Sequence, residues 1–214
     1  MTRELLLLRH GKSDWSAGVE DFYRPLKDRG KRGAQRVGVW LARQEWIPDL
    51  IISSPAERAL VTAQKTCKAM GMDASGIRQD KRIYAADVDD LLAVLGECQQ
   101  KSARVMLVGH NPGLEELLLL LTDKTVALPE DGKLMPTATL ARLQVQADWP
   151  LLQAGCARLL SLTRPDTLPK KFPYPAPDGK ELRDRPAYYY TQSSVIPYRV
   201  RDGKLEILAI ASSK

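Results

Sequence analysis

The sequence predicts an α/β fold: a three-layer α/β/α sandwich around a mostly parallel central sheet, followed by a proline-rich linker and a β-hairpin. Three observations predict it. Leu5 to Leu8 form an unbroken apolar run without polar alternation, as expected of a strand buried on both faces. Residues 105–111, VMLVGHN, repeat that layout, an apolar run closed by polar residues. Stretches with helical apolar spacing lie between such runs, so strands and covering helices alternate.

A chain of 214 residues suits one well-buried domain with an appendage. At 44% hydrophobic and 27% charged, it reads as ordinary, soluble and globular. Its apolar start is too short for a signal peptide or a membrane span, which places the protein in the cytoplasm. Cys67, Cys98 and Cys156 are widely spaced and form no zinc or disulfide framework; each is expected to be a small buried or half-buried side chain. The net charge of +6 is uneven: residues 1–163 hold 22 basic against 20 acidic side chains, and residues 164–214 hold 10 against 6. With no basic patch interleaved with aromatics in the main domain, no nucleic-acid or membrane partner is expected, and a small anionic group fits the balance equally well.

The first strand ends on Arg9, His10 and Gly11: a permanent cation, an imidazole able to act as a nucleophile, and a residue that admits close backbone approach. In open α/β sheets ligands collect at the carboxyl ends of the strands, where this triplet lies. Residues 12–23 have mixed polarity and read as a loop over that strand end, closed by Arg24-Pro25-Leu26. The next stretch, with Val37, Trp40 and Leu41 on one face, reads as an amphipathic helix. Residues 48–54 give a second strand, and Pro55 is expected at the first position of a helix over 56–70. That helix carries Arg58 in its first turn, beside unpaired N–H groups and the positive end of the helix dipole.

Ile83 and Tyr84 suggest a short strand, and Asp87 an N-cap for the helix that follows. Residues 104–109 form the next strand, with Asn111 as cap and Pro112 as first residue of the helix GLEELLLLLT, so His110 stands immediately before a helix N-terminus. The alternating TLARLQVQ reads as an edge strand, and CARLLSLTR as the last strand of the domain. His10 and His110 are the only two histidines, and both sit just past an expected buried strand.

Residues 165–186 hold six of the fourteen prolines and are expected to be extended or to wrap the surface. Beyond them, SSVIPYRV and KLEILAIA flank Asp202-Gly203, a two-residue hairpin signal. The expected division is a domain over 1–164, a linker over 165–187 and a hairpin tail over 188–214.

Five ordered segments, LLLLRHGKSDW, YRPLKDRGKRGA, SSPAERALVTA, VGHNPGLEEL and MPTATLARL, resemble the histidine phosphatase superfamily, in particular its SixA-like branch of phosphohistidine phosphatases. They lie between residues 5 and 143. The resemblance implies a phosphoglycerate mutase-like fold, with His10 as a transiently phosphorylated nucleophile and Arg9, Arg58 and His110 around the transferred phosphoryl group. Gly11 belongs to the same phosphate-binding motif. Arg24 is either a further phosphate contact or an anchor for the loop. These residue types suit the chemistry, because an uncharged imidazole is not repelled by a phosphate dianion and guanidinium groups offer paired donors to phosphoryl oxygens. His110 is expected to be protonated when phosphate is bound. No metal and no cofactor are expected, since the arginines supply the positive charge.

The general acid of larger relatives has no convincing counterpart between residues 71 and 104. Asp21, Glu57 and Asp87 are the candidates, each weighed against a solvated or capping role. The implied function is a phosphatase acting on a phosphorylated substrate, either a phosphohistidine protein or a small metabolite or nucleotide; the alternative from another class is a module that binds phosphorylated ligands without turnover. The tail QSSVIPYRVRDGKLEILAIASSK looks like the opening strands of a Nudix hydrolase domain that ends early, without the Nudix box. The competing expectation is a hairpin that completes or dimerises the phosphatase domain.

Overall fold

A computed structural model describes residues 3–124, 126–176 and 180–187, and the backbone of 198–201 and 204–207. Its centre is a six-stranded sheet formed by β1 (Arg3–Arg9), β2 (Leu50–Ser53), β3 (Arg78–Gln79), β4 (Arg104–Gly109), β5 (Leu140–Val145) and β6 (Ala157–Thr163). The order across the sheet is β3-β2-β4-β1-β5-β6. β3, β2, β4 and β1 are parallel, whereas β5 and β6 join antiparallel.

Pleating explains why the leucine run needs no polar residue. Leu5 and Leu7 face a core that includes Leu91 and Leu95 of α3 (Val88–Gly96) and Leu114, Leu117 and Leu118 of α4 (Gly113–Leu121). Leu6 and Leu8 face the opposite core, with Val37 and Leu41 of α1 (Asp28–Arg43) and Ala59 and Ala63 of α2 (Glu57–Ala69). Side chains alternate across a strand, so two helix layers each claim every second leucine. This is the expected three-layer, phosphoglycerate mutase-like architecture.

Several local expectations are corrected. Pro55 precedes the cap of α2, whose N-cap is Ala56. Ile83 ends a 3-10 turn, Lys81–Ile83, with Tyr84 as its cap; the short strand is Arg78–Gln79 instead. Pro112, not Asn111, is the N-cap of α4, and the Asn111 side chain donates to the Met135 carbonyl. β5 is interior, because β6 pairs along its outer side and takes the edge. Asp87 does cap α3, accepting from the Asp90 N–H.

The proline-rich stretch contains β7 (Lys171–Pro175) and β8 (Leu182–Pro186), an antiparallel pair. Phe172 and Ala187 pack on Val39 of α1, and Arg43 donates to the Pro173 carbonyl. In the tail, β9 (Tyr198–Arg201) and β10 (Lys204–Ile207) pair antiparallel with Arg201 opposite Lys204; the Asp202-Gly203 turn lies outside the described residues. All three cysteines are free and buried. No described helix is long and apolar enough to cross a membrane.

Candidate active site

Three parallel strands finish side by side, and the residues that follow them build the site. Arg9 at the end of β1 stands beside Gly109 at the end of β4, and Ser53 of β2 beside Val108. The ladder continues one residue further, with the His10 N–H donating to the Gly109 carbonyl and the Ser54 N–H to the Val108 carbonyl, both at 3.0 Å. His10, Ser54 and His110 are thereby placed together. The two imidazole rings lie 5.2 Å apart between centroids.

His10 is buried, and its Nδ1 is 2.8 Å from the Gly11 carbonyl. A carbonyl only accepts, so Nδ1 carries the proton and Nε2 keeps its lone pair. Burial pushes the His10 pKa down to about 4; the Gly11 carbonyl opposes this, and the charges of Arg58, Arg9 and Arg24 add to it. His10 is therefore neutral at pH 7, as a nucleophile must be.

Arg58 lies in the first turn of α2. Its Nη1 donates to the Asp21 carbonyl at 2.6 Å and its Nη2 to Asp21 Oδ2 at 2.8 Å. Arg24 donates to the other oxygen, Asp21 Oδ1, at 2.7 Å and lies 3.4 Å over the Trp15 ring. Thr62 locks α2 to the strand end by accepting from the Gly11 N–H at 2.9 Å and donating to the Arg58 carbonyl at 2.6 Å. Arg9 is held differently, through Nη1 to the Met135 carbonyl at 2.7 Å. Buried donors remain on all three guanidiniums, at Arg9 Nε, Arg24 Nε and Nη1, and Arg58 Nε, with no acceptor among the described residues. Phosphoryl oxygens are acceptors of the type such donors require.

His110 Nε2 is 2.9 Å from Ser54 Oγ, and the Tyr84 ring meets the imidazole edge-on at 5.7 Å. Burial, then neighbouring His10 and Arg58, push the His110 pKa down to about 3. His110 is thus neutral at pH 7 in these surroundings, and the expected protonation requires the added negative charge of a bound dianion.

Of the three carboxylates weighed as acids, Glu57 is exposed and Asp87 caps α3. Asp21 alone reaches the site, and it arrives as a bridge. Burial favours its neutral form, but the Tyr84 hydroxyl, donating to Oδ2 at 3.0 Å, and the charges of Arg58 and Arg24 hold it below the usual carboxylate range. Sequence reasoning missed both this bridging role and Tyr84. No group of three His, Cys, Asp or Glu side chains among the described residues could hold a metal ion.

Residues 5–84 match the family model for the histidine phosphatase superfamily, branch 1. A solved structure of a candidate phosphohistidine phosphatase SixA from Agrobacterium tumefaciens is 30% identical; the match covers 75% of this chain and 97% of that one, with a TM-score of 0.63. The chain belongs to the histidine phosphatase superfamily. A second structure in this superfamily, a candidate phosphohistidine phosphatase SixA from Nakamurella multipartitia, is 28% identical over 77% of this chain and 97% of its own, with a TM-score of 0.65. An uncharacterized chloroplastic protein of Arabidopsis thaliana is 28% identical over 141 residues, a match that spans 60% of this superfamily member and 63% of the plant protein.

Proposed function

We propose that this chain is a metal-independent phosphatase that works through a phosphohistidine intermediate on His10 and acts on protein phosphohistidine, with residues 1–164 as its catalytic domain. The observation that carries the reading is the state of His10: neutral, with Nδ1 tied to the Gly11 carbonyl, beside His110 and the charges of three arginines. In this reading Nε2 attacks phosphorus, the N–P bond forms, and the bond to the leaving group breaks with its electron pair departing. Water then attacks, the N–P bond breaks back to Nε2, and phosphate leaves as a water proton passes to solvent. Arg9, Arg24 and Arg58 hold the phosphoryl oxygens, Gly11 lets the backbone after His10 come close to α1, and His110 stabilises the charge that builds on those oxygens.

The substrate class follows from the leaving group. Asp21 is ionised and bound by two arginines, so it is a poor proton donor. An alkoxide needs a proton on departure, whereas a phosphoimidazole can take one from solvent on its other ring nitrogen beforehand and then leave as neutral imidazole, whose conjugate acid has a pKa of ~6.5, with no acid from the enzyme. The SixA-type structures similar to this chain agree with that choice. The test is the rate on a phosphohistidine-bearing protein against a panel of alkyl phosphomonoesters, with an activated aryl phosphate as a general substrate. The expected order is phosphohistidine and aryl phosphate well ahead of alkyl esters, with all turnover lost in His10→Ala. Equal rates on both classes defeat the phosphohistidine assignment, and binding without turnover makes the chain a phospho-ligand module.

A further inference from the structure

The face of α1 nearest the site carries cations that nothing in the proposed chemistry uses. Arg29, Gly33 and Arg36 lie at helical spacing and line one wall of a cavity of about 280 Å³, with Lys12 opposite. A larger cavity of about 590 Å³ shares Lys12 and Arg29 and extends to Arg9 and Lys133. Two glycines create this arrangement. A Cβ on Gly30 would stand 2.3 Å from the Lys12 carbonyl, and one on Gly11 2.8 Å from the Gly30 carbonyl, so the β1–α1 loop lies directly on the helix. Lys12, two residues or about 7 Å of backbone beyond His10, is thereby laid against the first turn of α1, and it lines the same cavities as Arg29, the neighbour of Gly30.

Pairing separates these cations from ordinary surface charges. Lys27 is paired with Asp14 and Lys31 with Asp28. Glu115 lines the larger cavity and Asp166 the smaller one, but among the described residues neither Lys12 nor Arg29 has a carboxylate within ion-pair distance, and both border a concave space that reaches Arg9. We propose that this cavity is a second anion subsite, which takes a phosphate or carboxylate group carried by the same substrate as the scissile phosphoryl group. The substrate is then a polyanion with its two charged groups roughly one cavity apart.

This rests on the phosphatase reading, and the experiment keeps the two separable. Orthophosphate and tripolyphosphate are compared as competitive inhibitors of His10-dependent hydrolysis of an activated aryl phosphate. Tripolyphosphate is expected to bind about tenfold more tightly than orthophosphate, the worth of one added charge-assisted contact. In the double variant Lys12→Gln/Arg29→Gln that ratio falls towards one, while Lys31→Gln keeps it. An unchanged ratio in the double variant overturns the subsite. If no hydrolysis depends on His10, the phosphatase reading fails, and calorimetric binding of the same two anions to the same variants still decides the subsite. A phosphohistidine peptide flanked by aspartates, compared with its asparagine counterpart, then tells whether the second anion belongs to a small molecule or a polypeptide.

Discussion

Asp21 brings a negative charge into a site otherwise assembled from arginines, and it occupies one Nη of Arg24 and both Nη of Arg58. A phosphoryl dianion approaching those guanidiniums meets its repulsion. Asp21→Asn keeps a side chain able to accept from the arginines but removes the charge, so orthophosphate should inhibit several-fold more strongly. The gain is modest because the carboxylate is 46% exposed and water screens it. Weaker inhibition instead would mean that holding the arginines in place outweighs the repulsion. His110→Ala removes a fixed donor from the transition state and should slow turnover by roughly 100- to 1,000-fold. His10 should still become phosphorylated, which mass spectrometry of trapped enzyme would show; a wild-type rate would remove His110 from the site. His10, His110 and Arg58 were legible in the sequence because each follows a strand or opens a helix, positions fixed by local pattern. Asp21 was legible only as a candidate acid, and its bridge to the arginines and Tyr84 were not, since the two residues meet across 63 residues, one from an aperiodic loop and the other after a 3-10 turn.

The contact between the β1–α1 loop and the first turns of α1 decides whether the strand-end residues are held. It depends on the absence of a side chain at Gly30, where a Cβ would collide with backbone of Lys12 that has no room to withdraw. Gly30→Ala should cost about 1–3 kcal/mol of stability, as overpacking usually does, and should lower kcat/KM by displacing the loop next to His10. Gly76→Ala is the control, because nothing lies within 4 Å of the added methyl group. Urea melts and aryl phosphatase assays of both variants would check this; a Gly30→Ala protein as stable as wild type would show that the loop has slack. At this scale the sequence showed the buried strands well, because uninterrupted runs such as Leu5–Leu8 have few other uses. It misled on β5, whose alternation matches a strand with one exposed face although β6 covers its outer edge. It also missed β3, since two residues, Arg78 and Gln79, are too short to carry a periodicity.

Across the whole molecule, the buried His10 and the half-buried His110 couple folding to proton concentration. Both have folded-state pKa values, about 4 for His10 and about 3 for His110, below the ~6.5 of an unfolded histidine. The unfolded chain therefore binds protons that the folded chain refuses, beginning as the pH drops through 6.5. Their stabilising contribution is complete above that value, declines as the pH falls, and is lost once the pH passes the folded-state values. Asp21 and Glu4 have pKa values lowered from 3.8 and 4.5, so their own losses come at more acidic pH. With only two histidines in the chain, the upper part of the interval from pH 6.5 to 4.5 reports on the site, and the lowered carboxylates Glu4, Glu97 and Asp131 add to the fall only towards pH 4.5. Unfolding free energy from urea titrations should fall there by about 4 to 5 kcal/mol, two histidines each losing up to ~1.36 kcal/mol per pH unit below 6.5. The double variant His10→Gln/His110→Gln should show a flat profile over the same interval. Orthophosphate should reduce the wild-type slope, because a phosphate anion beside His110 favours the protonated ring that burial disfavours. A wild-type profile already flat between pH 6.5 and 4.5 would mean that water reaches both rings and that His10 owes its neutrality at pH 7 to an ordinary imidazole pKa, not to burial among arginines.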